Sequence, residues 1–373
     1  MINKNEEHSS RSVCSIIQRD KNNFDLLRLI AAIAVIFGHS YAISPQPPHK
    51  DFILNLLFFD YSGSLAVNFF FFLSGLLVMD SLIRRPKPLQ FLVRRASRIF
   101  PGLVLCLFVT VFIIGPLFTK LSIFDYFTQK ETWSYLFKNI SLGELQWKLP
   151  GVFSDSQFGL NGSLWTLPYE LKCYLYLTLF CGLGLFTNRF IANSLYLAII
   201  SIALFMPNFL LQFGFPQTPK THILAAYFSV GMLCALNKEK ISLNGFAVLV
   251  MWGFYLLVPT AARHNFLFYS IFFYTSLYIA SLPFVIKYLK LPCDISYGVY
   301  IYGFMIQQSI HAVFPTMGIY GNQLICILIA CLAGLASWFL IEKPAISLGA
   351  KITASDWAQL RSLKWLRRDV QHV

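Results

Sequence analysis

The chain has 373 residues, of which 56% are hydrophobic and only 13% are charged, and its mean hydropathy is +0.60. Soluble domains carry about 25% charged residues, so the polar side chains are too few to cover a soluble globule of this size. The formal net charge is +13, but Lys and Arg cluster in short segments between apolar runs, as in membrane proteins. No nucleic-acid-binding module is visible. We therefore expect a lipid bilayer, and not nucleic acid, as a partner.

Ten apolar segments are long enough, or nearly so, to cross a bilayer, which takes roughly 20 apolar residues per helix. In chain order they lie at residues 24–44, 61–82, 100–119, 166–186, 189–207, 221–236, 242–260, 265–287, 294–313 and 319–341. The pattern predicts an all-α membrane protein, a bundle of about ten transmembrane helices. We expect a cytoplasmic tail at 1–23, a single transmembrane domain at 24–344 and a cytoplasmic basic amphipathic tail at 345–373.

Charge asymmetry predicts the orientation of the bundle. With the N-terminus in the cytoplasm, 21 of the 30 Lys and Arg residues fall on the cytoplasmic side and seven on the other side. Both termini are therefore expected in the cytoplasm. The first twenty residues lack the apolar core of a cleaved signal peptide, so we expect the first membrane helix to direct insertion. The eight cysteines form no CxxC pair, which predicts no disulfide and no metal site.

The first apolar segment carries two ionisable side chains, Arg28 and His39, in the stretch RLIAAIAVIFGHS. Eleven residues make about three helical turns, so both side chains share one face with roughly 16 Å of rise between them. Arg28 can be explained as a snorkelling residue at the cytoplasmic end, and His39 as a hydrogen-bonded interfacial histidine. The shared face favours a substrate path, because ionisable groups inside a membrane usually mark one.

Three arginines, Arg94, Arg95 and Arg98, stand at the start of the third apolar segment. Membrane topology alone accounts for positive charge at this position. Three arginines in five residues exceed what topology requires, and guanidinium groups match the geometry of phosphate. A polyanionic cytosolic ligand is therefore the alternative interpretation.

Further polar side chains fall within apolar segments. Glu170 follows the motif NGSLW, and Lys172 is a poor partner for it because residues two apart on a helix do not face each other. We therefore expect a partner elsewhere and a role in a cavity.

The ninth segment carries a polar stripe, which suits either helix–helix hydrogen bonds or substrate contact. The stripe comprises Tyr297, Tyr300, Gln307, Gln308 and His311. Pro344, with Glu342 and Lys343, is expected to end the last helix.

Taken together, the motifs resemble those of the acyltransferase-3 membrane family, which includes bacterial O-acetyltransferases of surface saccharides. The matching stretches occur in the order of the family and extend from about Phe24 to Pro344: FDLLRLIAAIAVIFGHS, VNFFFFLSGLLV, FLVRRASRIFPGL, NGSLWTLPYELKCYL, DISYGVYIYGFMIQQ and SWFLIEKP. Many relatives have a histidine where this chain has Gly303, so a role of that histidine does not transfer.

The resemblance implies an enzyme, an O-acyltransferase of the bacterial inner membrane with about ten helices. It implies acetyl-CoA as the donor on the cytosolic side and a saccharide as the acceptor, with no metal cofactor. Arg28 and His39 match the Arg-x10-His pair of the family, the arginine cluster matches its basic motif, and Glu170 matches its acid. The candidate residues are then, for catalysis, His39 and Glu170; for donor binding, Arg28, Arg94, Arg95 and Arg98; and for substrate binding, Trp165, Tyr297 and Tyr300.

Acyl transfer from a thioester to a hydroxyl needs a base, and His39 is the natural choice because imidazole titrates near neutral pH. Direct transfer and a transient acyl-imidazole both remain open, and no serine or cysteine nucleophile stands out. A transporter or flippase of a saccharide or an anionic lipid-linked substrate would use the same buried charges without chemistry. An O-succinyltransferase is a further alternative, since it requires only one more cation near the thioester.

Overall fold

Helices form almost all of the regular secondary structure in the computed structural model, which describes residues 11–46, 49–154, 156–216, 220–258 and 265–354. Within those ranges there is no β-strand, and the extended pairing is limited to two isolated bridges, Ser12–Ser242 and Thr119–Val152. The all-α prediction is confirmed. Of the predicted amphipathic tail at 345–373, residues 355–373 lie outside the described residues.

The chain divides into two compact units, each built from two stretches of sequence. The first unit takes the chain up to Arg85 together with Gly184–Ser296. Its longer helices are α1 (Phe24–Ile43), α2 (Ser62–Arg84), α6 (Arg189–Phe205), α7 (Thr221–Leu236), α8 (Gly245–Leu257) and α9 (Asn265–Ala280). The second unit takes Pro86–Leu183 and the chain from Tyr297 onward. Its longer helices are α3 (Pro88–Phe118), α4 (Lys130–Ser141), α5 (Leu167–Gly182), α10 (Ser296–Val313) and α11 (Ile319–Ala354).

In the first unit, the start of α1 is held by Asn23. Its side chain accepts a hydrogen bond from the backbone N–H of Leu26, which caps the helix. Its amide nitrogen donates to the carbonyl oxygens of Val285 and Leu289, both at 2.9 Å. Because one buried side chain both caps α1 and binds the segment after α9, the first turn of α1 has a defined position.

The closest helix pair in the first unit is α2 with α7, where two glycines face the opposing backbone. A Cβ atom added to Gly75 would lie 2.0 Å from the carbonyl oxygen of Phe228. One added to Gly231 would lie 2.0 Å from the carbonyl oxygen of Phe72. Small residues that let two backbones approach are the usual means of packing helices in a membrane, where lipid removes the hydrophobic drive for association.

The second unit contains two wide helical turns of the π type, Thr110–Ile114 in α3 and Trp338–Glu342 in α11. Each turn closes with a hydrogen bond between residues five apart, and each is followed two residues later by a proline, Pro116 or Pro344. Proline clashes with the carbonyl of the residue four before it, and in both helices that residue lies within the wide turn. The extra width displaces this carbonyl, so the helix continues through the proline.

A helix lies at each of the ten predicted segments, but only four helices are long and apolar enough to cross a membrane. These are Phe24–Ile43, Ser62–Arg84, Pro88–Phe118 and Ile319–Ala354. A fifth span results if α6 and the short helix Pro207–Phe213, bent by 115°, count as one. Among the remaining helices, α7, α8 and α9 are apolar but shorter. A 16-residue helix is about 24 Å long, less than the hydrocarbon core of about 30 Å. The chain is thus a membrane protein with four or five candidate spans in its described part.

Two helices extend beyond the predicted spans. The third span was expected to begin at residue 100, but α3 begins at Pro88, where Pro at the first position suits a helix start. The last helix was expected to end at Glu342–Pro344, but α11 continues to Ala354. The reason is the wide turn at Trp338–Glu342, which removes the clash that normally makes a proline end a helix.

Candidate functional site

Arg28 lies in α1 of the first unit and is held by two carboxylates. Its Nη1 atom is 3.4 Å from Oδ2 of Asp294 and 3.7 Å from Oδ1 of Asp25. The side chain of Asp294 is 5% exposed and that of Arg28 is 25% exposed. Asp294 also accepts a hydrogen bond from the hydroxyl of Ser296, which sets the position of its carboxylate. The guanidinium therefore has a fixed position and keeps part of its surface accessible.

His39 lies in the same unbroken helix α1 as Arg28. The two residues are therefore on one face of the helix, with a rise of about 16 Å between them. The neighbouring Gly38 packs against the first turn of α2: a Cβ atom there would be 2.7 Å from Oγ of Ser62 and 2.9 Å from the nitrogen of Gly63. His39 itself is half-buried. The hydroxyl of Ser40 donates to the carbonyl oxygen of Phe37 at 2.6 Å, so it is engaged with its own helix.

A buried charge cluster in the first unit was missed from the sequence. Asp80, near the end of α2, is fully buried. Its Oδ1 accepts from Nζ of Lys238 at 2.7 Å, and its Oδ2 pairs with Nη2 of Arg84 at 2.5 Å. The spacing of Asp80 and Arg84 is a typical helical ion pair and is visible in the sequence, whereas Lys238 is 158 residues away.

In the second unit the three predicted arginines lie in α3 and have different surroundings. Nε of Arg94 donates to Oγ1 of Thr353 at 3.0 Å. The guanidinium of Arg98 lies 5.5 Å from the centre of the Trp338 ring. Arg95 stacks over the Phe91 ring at 5.9 Å, and its buried Nε has no hydrogen-bond partner among the described residues. A buried donor of this kind costs free energy unless a ligand or water satisfies it.

Glu170 lies in the first turn of α5 and accepts a hydrogen bond from the hydroxyl of Tyr174, one turn further on. Nζ of Lys172 instead lies 4.9 Å from the centre of the Tyr169 ring. The hydrogen-bond partner of Glu170 is thus a residue of its own helix, and its role in a cavity stays a prediction. Trp165 lies in the short turn Gly162–Thr166 before α5, with its ring 6.2 Å from that of Tyr169.

The loop before α5 packs along α10 through hydrogen bonds. The hydroxyl groups of Thr166 and Tyr300 are 2.7 Å apart, and Nδ2 of Asn161 donates to the carbonyl oxygen of Ile301 at 2.8 Å. Nε2 of Gln308 donates to the carbonyl oxygen of Gly159 at 3.2 Å. Tyr300 and Gln308 of the polar stripe therefore bind residues on either side of the NGSLW motif, and Asn161 of the motif binds the backbone of α10.

Glu342 was expected to mark the end of the last helix, but its side chain is fully buried. Its Oε1 accepts from the hydroxyl of Ser337 at 2.8 Å, and its Cγ packs 3.3 Å from the position of a Cβ on Gly102. Tyr297, whose hydroxyl donates to the carbonyl oxygen of Ile99 at 2.8 Å, lies within electrostatic range of Glu342, Glu170 and Arg98. The second unit thus brings the predicted residues Glu170 and Arg98 within electrostatic range of Tyr297, together with Glu342, which sequence reasoning had placed at a helix end.

The predicted site residues divide between the units: Arg28 and His39 belong to the first, and Arg94, Arg95, Arg98, Trp165, Glu170, Tyr297 and Tyr300 to the second. The first unit offers an imidazole and an ion-paired cation on one helix. The second offers an arginine cluster, buried carboxylates and hydroxyl groups. Among the described residues, no group of three or more His, Cys, Asp or Glu side chains is arranged to hold a metal ion.

Comparisons with known proteins agree with these features. A family model described as "Acyltransferase domain" matches residues 21–343. An O-acetyl transferase of Shigella phage Sf6 is 30% identical over 338 residues, which cover 86% of this chain and 95% of the relative. Nodulation protein 10 of Rhizobium leguminosarum bv. viciae is 28% identical over 365 residues, which cover 90% of this chain and 95% of the relative. No solved structure matches the chain. The chain belongs to the acyltransferase-3 family and is a membrane-embedded O-acyltransferase.

Proposed function

We propose that this protein transfers an acetyl group from cytosolic acetyl-CoA to a hydroxyl of a saccharide at the outer face of a bacterial inner membrane. The observation that carries the proposal is the similarity, over almost the whole chain, to a protein described as an O-acetyl transferase. The arginine cluster of α3 agrees with a donor that carries several phosphates, because guanidinium groups bind phosphate through paired hydrogen bonds.

In this proposal the chain crosses the membrane about ten times with both termini in the cytoplasm. The distribution of Lys and Arg supports this orientation, and the shorter helices α5 to α10 supply the six spans beyond the four longest. The arginine cluster then lies towards the cytoplasm and His39 towards the opposite face, so donor and acceptor approach from different sides.

Donor binding falls mainly to the arginines of α3. Arg95 is the strongest candidate, since its buried Nε lacks a hydrogen-bond partner among the described residues. Arg94 and Arg98 stand on a neighbouring face, oriented by Thr353 and Trp338. Arg28 adds a cation fixed by Asp25 and Asp294, with a part-exposed side chain that guides the donor.

The reaction is a direct transfer in which His39 acts as general base. The saccharide oxygen attacks the thioester carbonyl carbon as His39 takes the hydroxyl proton, the carbon–sulfur bond breaks, and the departing thiolate recovers that proton. Ser40 is a poor nucleophile because its hydroxyl already donates to Phe37. Glu170, with Trp165, Tyr297 and Tyr300, contacts the acceptor and orients its hydroxyl.

The function is tested with purified protein in lipid nanodiscs, acetyl-CoA labelled in the acetyl group, and surface saccharide from a deletion strain. We expect label in the saccharide and one free CoA thiol per acetyl transferred. In parallel, mass spectrometry and proton NMR should show an acetyl signal in the parent glycan that the deletion strain lacks. Movement of saccharide into sealed lipid vesicles that contain the protein, without any acetyl transfer, would contradict the proposal and indicate a transporter. If the protein transferred the acyl group of succinyl-CoA and not that of acetyl-CoA, it would be an O-succinyltransferase.

Arg95→Ala is expected to raise the donor KM about 10- to 100-fold, the loss that follows when one charged hydrogen bond of about 1.5–3 kcal/mol is removed. The acceptor KM should change little. The measurement compares acetyl-CoA with S-acetylpantetheine, a donor without nucleotide phosphates. The effect should disappear with the shorter donor.

Arg189→Ala is the matched control, because Arg189 is 61% exposed in its side chain and pairs with Glu239 at the surface. Such a pair contributes about 0–1 kcal/mol, so the donor KM should stay at the wild-type value. An equal loss with both donors in Arg95→Ala would show that Arg95 does not bind the phosphates.

A further inference from the structure

A shallow, open cleft of about 600 Å³ lies on the second unit between α4 and the segment that follows it. Volumes of 300–1,000 Å³ are typical of small-ligand sites. Ten residues line the cleft, of which four have charged side chains, two have amides, one has an indole ring and three are apolar: Glu131, Lys138, Glu144, Lys148, Gln129, Gln146, Trp147, Leu145, Leu149 and Pro150. None of these residues has a role in the reaction proposed above.

The walls of the cleft are preformed by hydrogen bonds. The fully buried Asn139 of α4 donates to the carbonyl oxygen of Gln146 at 3.0 Å and accepts from its backbone N–H at 3.1 Å. Nε2 of Gln146 donates to the carbonyl oxygens of Glu131 and Lys148, at 2.8 and 3.1 Å. The segment is thus fixed to the helix, and a ligand would meet a surface that needs little ordering.

The far wall is joined to the family motif. The backbone N–H of Leu160 donates to the carbonyl oxygen of Trp147 at 2.7 Å, and a Cβ on Gly159 would lie 3.4 Å from Cε3 of the indole. Residue 161 then begins the NGSLW motif, which leads into α5 and Glu170. Trp147 therefore has a fixed place relative to the loop that binds α10.

The chemistry of the lining suits sugars. Trp147 is 41% exposed, and an indole ring offers a flat apolar face with a negative π-surface to the C–H groups of a pyranose. Carboxylate, ammonium and amide groups around it pair with hydroxyls. Two acidic and two basic side chains balance, and Lys138 pairs with Glu144 at 2.9 Å. This balance favours a neutral ligand over a polyanion.

A second exposed face of α4 has a different character. Trp133 and Phe137 lie about 100–160° around the helix axis from Glu131 and Lys138, and Phe137 is 64% exposed. Such a face suits the membrane interface. The helix therefore presents its polar face to the cleft and its apolar face elsewhere, so lipid contact accounts for the apolar face and leaves the cleft unexplained.

We propose that this cleft binds a neutral stretch of the saccharide acceptor, about one to three sugar units, with Trp147 as the stacking platform. The inference rests on the proposed function in taking the acceptor to be a saccharide. The cleft would bind sugar units other than the one whose hydroxyl reacts, so it would increase the affinity of the enzyme for a longer acceptor.

The test uses oligosaccharides released by mild acid from the surface polysaccharide of a deletion strain, separated into neutral and acidic fractions. Trp147→Ala is expected to weaken binding of the neutral fraction, followed by calorimetry, and to raise the acceptor KM, each about tenfold, with the donor KM unchanged. Trp147→Phe should restore most of both. Phe137→Ala, on the apolar face of α4 and outside the lining of the cleft, is the matched control and should leave both at wild-type values.

Outcomes separate this inference from the proposed function. Binding that depends on Trp147 but comes without acetyl transfer in the wild type would support the cleft and refute the proposed reaction. Transfer with an unchanged acceptor KM and unchanged binding in Trp147→Ala would overturn the cleft. If Trp147→Ala weakened binding of the protein to phospholipid vesicles and left saccharide binding intact, the saccharide site would be overturned as well, and the surface would be assigned to lipid. If Trp147→Ala does not fold, Lys148→Met and Glu131→Gln test the same lining.

Discussion

His39→Ala is expected to lower acetyl transfer about 100- to 10,000-fold, the range that a positioned general base contributes. The protein should still insert and fold, because the substitution removes a half-buried ring and leaves the close contact of Gly38 with α2 unchanged. The measurement is the transfer rate of labelled acetyl to saccharide at saturating donor and acceptor, with the amount of folded protein determined by gel filtration.

Two further variants make this result specific. His39→Gln keeps a hydrogen-bonding side chain of similar length that cannot titrate, and it should be as inactive as alanine. His222→Ala removes another half-buried histidine of the first unit, in α7, and should retain the wild-type rate. A His39→Gln variant with normal turnover would eliminate this imidazole as the base. Loss of folded protein in His39→Ala would leave His39→Gln as the deciding measurement.

Gly75→Val is expected to prevent folding, and Gly75→Ala to destabilise the protein by about 3 kcal/mol, the upper end of ordinary overpacking costs. The new Cβ would meet the carbonyl oxygen of Phe228 at 2.0 Å, and a backbone atom cannot move aside unless α2 and α7 separate. Gly231→Ala meets Phe72 in the same way and should have a similar effect. Thermal unfolding in detergent and the yield of monodisperse protein measure these changes.

Gly253→Ala is the control for this series. Gly253 lies inside α8, and a Cβ there meets nothing within 4 Å. Alanine should therefore keep or raise stability, since glycine within a helix costs about 0.5–1 kcal/mol relative to alanine. If Gly75→Ala were as stable as Gly253→Ala, the close contact of α2 with α7 would be wrong.

Local patterns predicted the helices well, because hydropathy and helical period depend on neighbouring residues. A helix lies at each predicted segment, and Arg28 and His39 share an unbroken helix as their spacing indicated. The count of spans that meet the length criterion is lower than predicted, since a short apolar helix and a full span look alike until their ends are known.

Long-range partners could not be predicted. Arg28 pairs with Asp294, which is 266 residues away, and no local pattern connects them. Glu342 looked like a helix end because a proline follows two residues later. Its side chain is buried within a wide helical turn, and hydropathy does not predict such a turn. The cleft around Trp147 depends on how Asn139 bonds Gln146, a loop contact with no periodic signal.

The wide turn in α11 makes the length of that helix matter as much as its composition. A π-type turn holds one residue more than an ordinary turn, and one residue corresponds to about 100° of rotation around the helix axis. Because the wide turn takes up that extra residue within a single turn, the helix after Glu342 keeps its phase, and the Thr353 hydroxyl meets Arg94. Losing a single amino acid between Trp338 and Glu342 would convert the wide turn into an ordinary one, so the ring of Pro344 would again clash with the carbonyl four residues before it and would kink or end the helix ahead of Thr353.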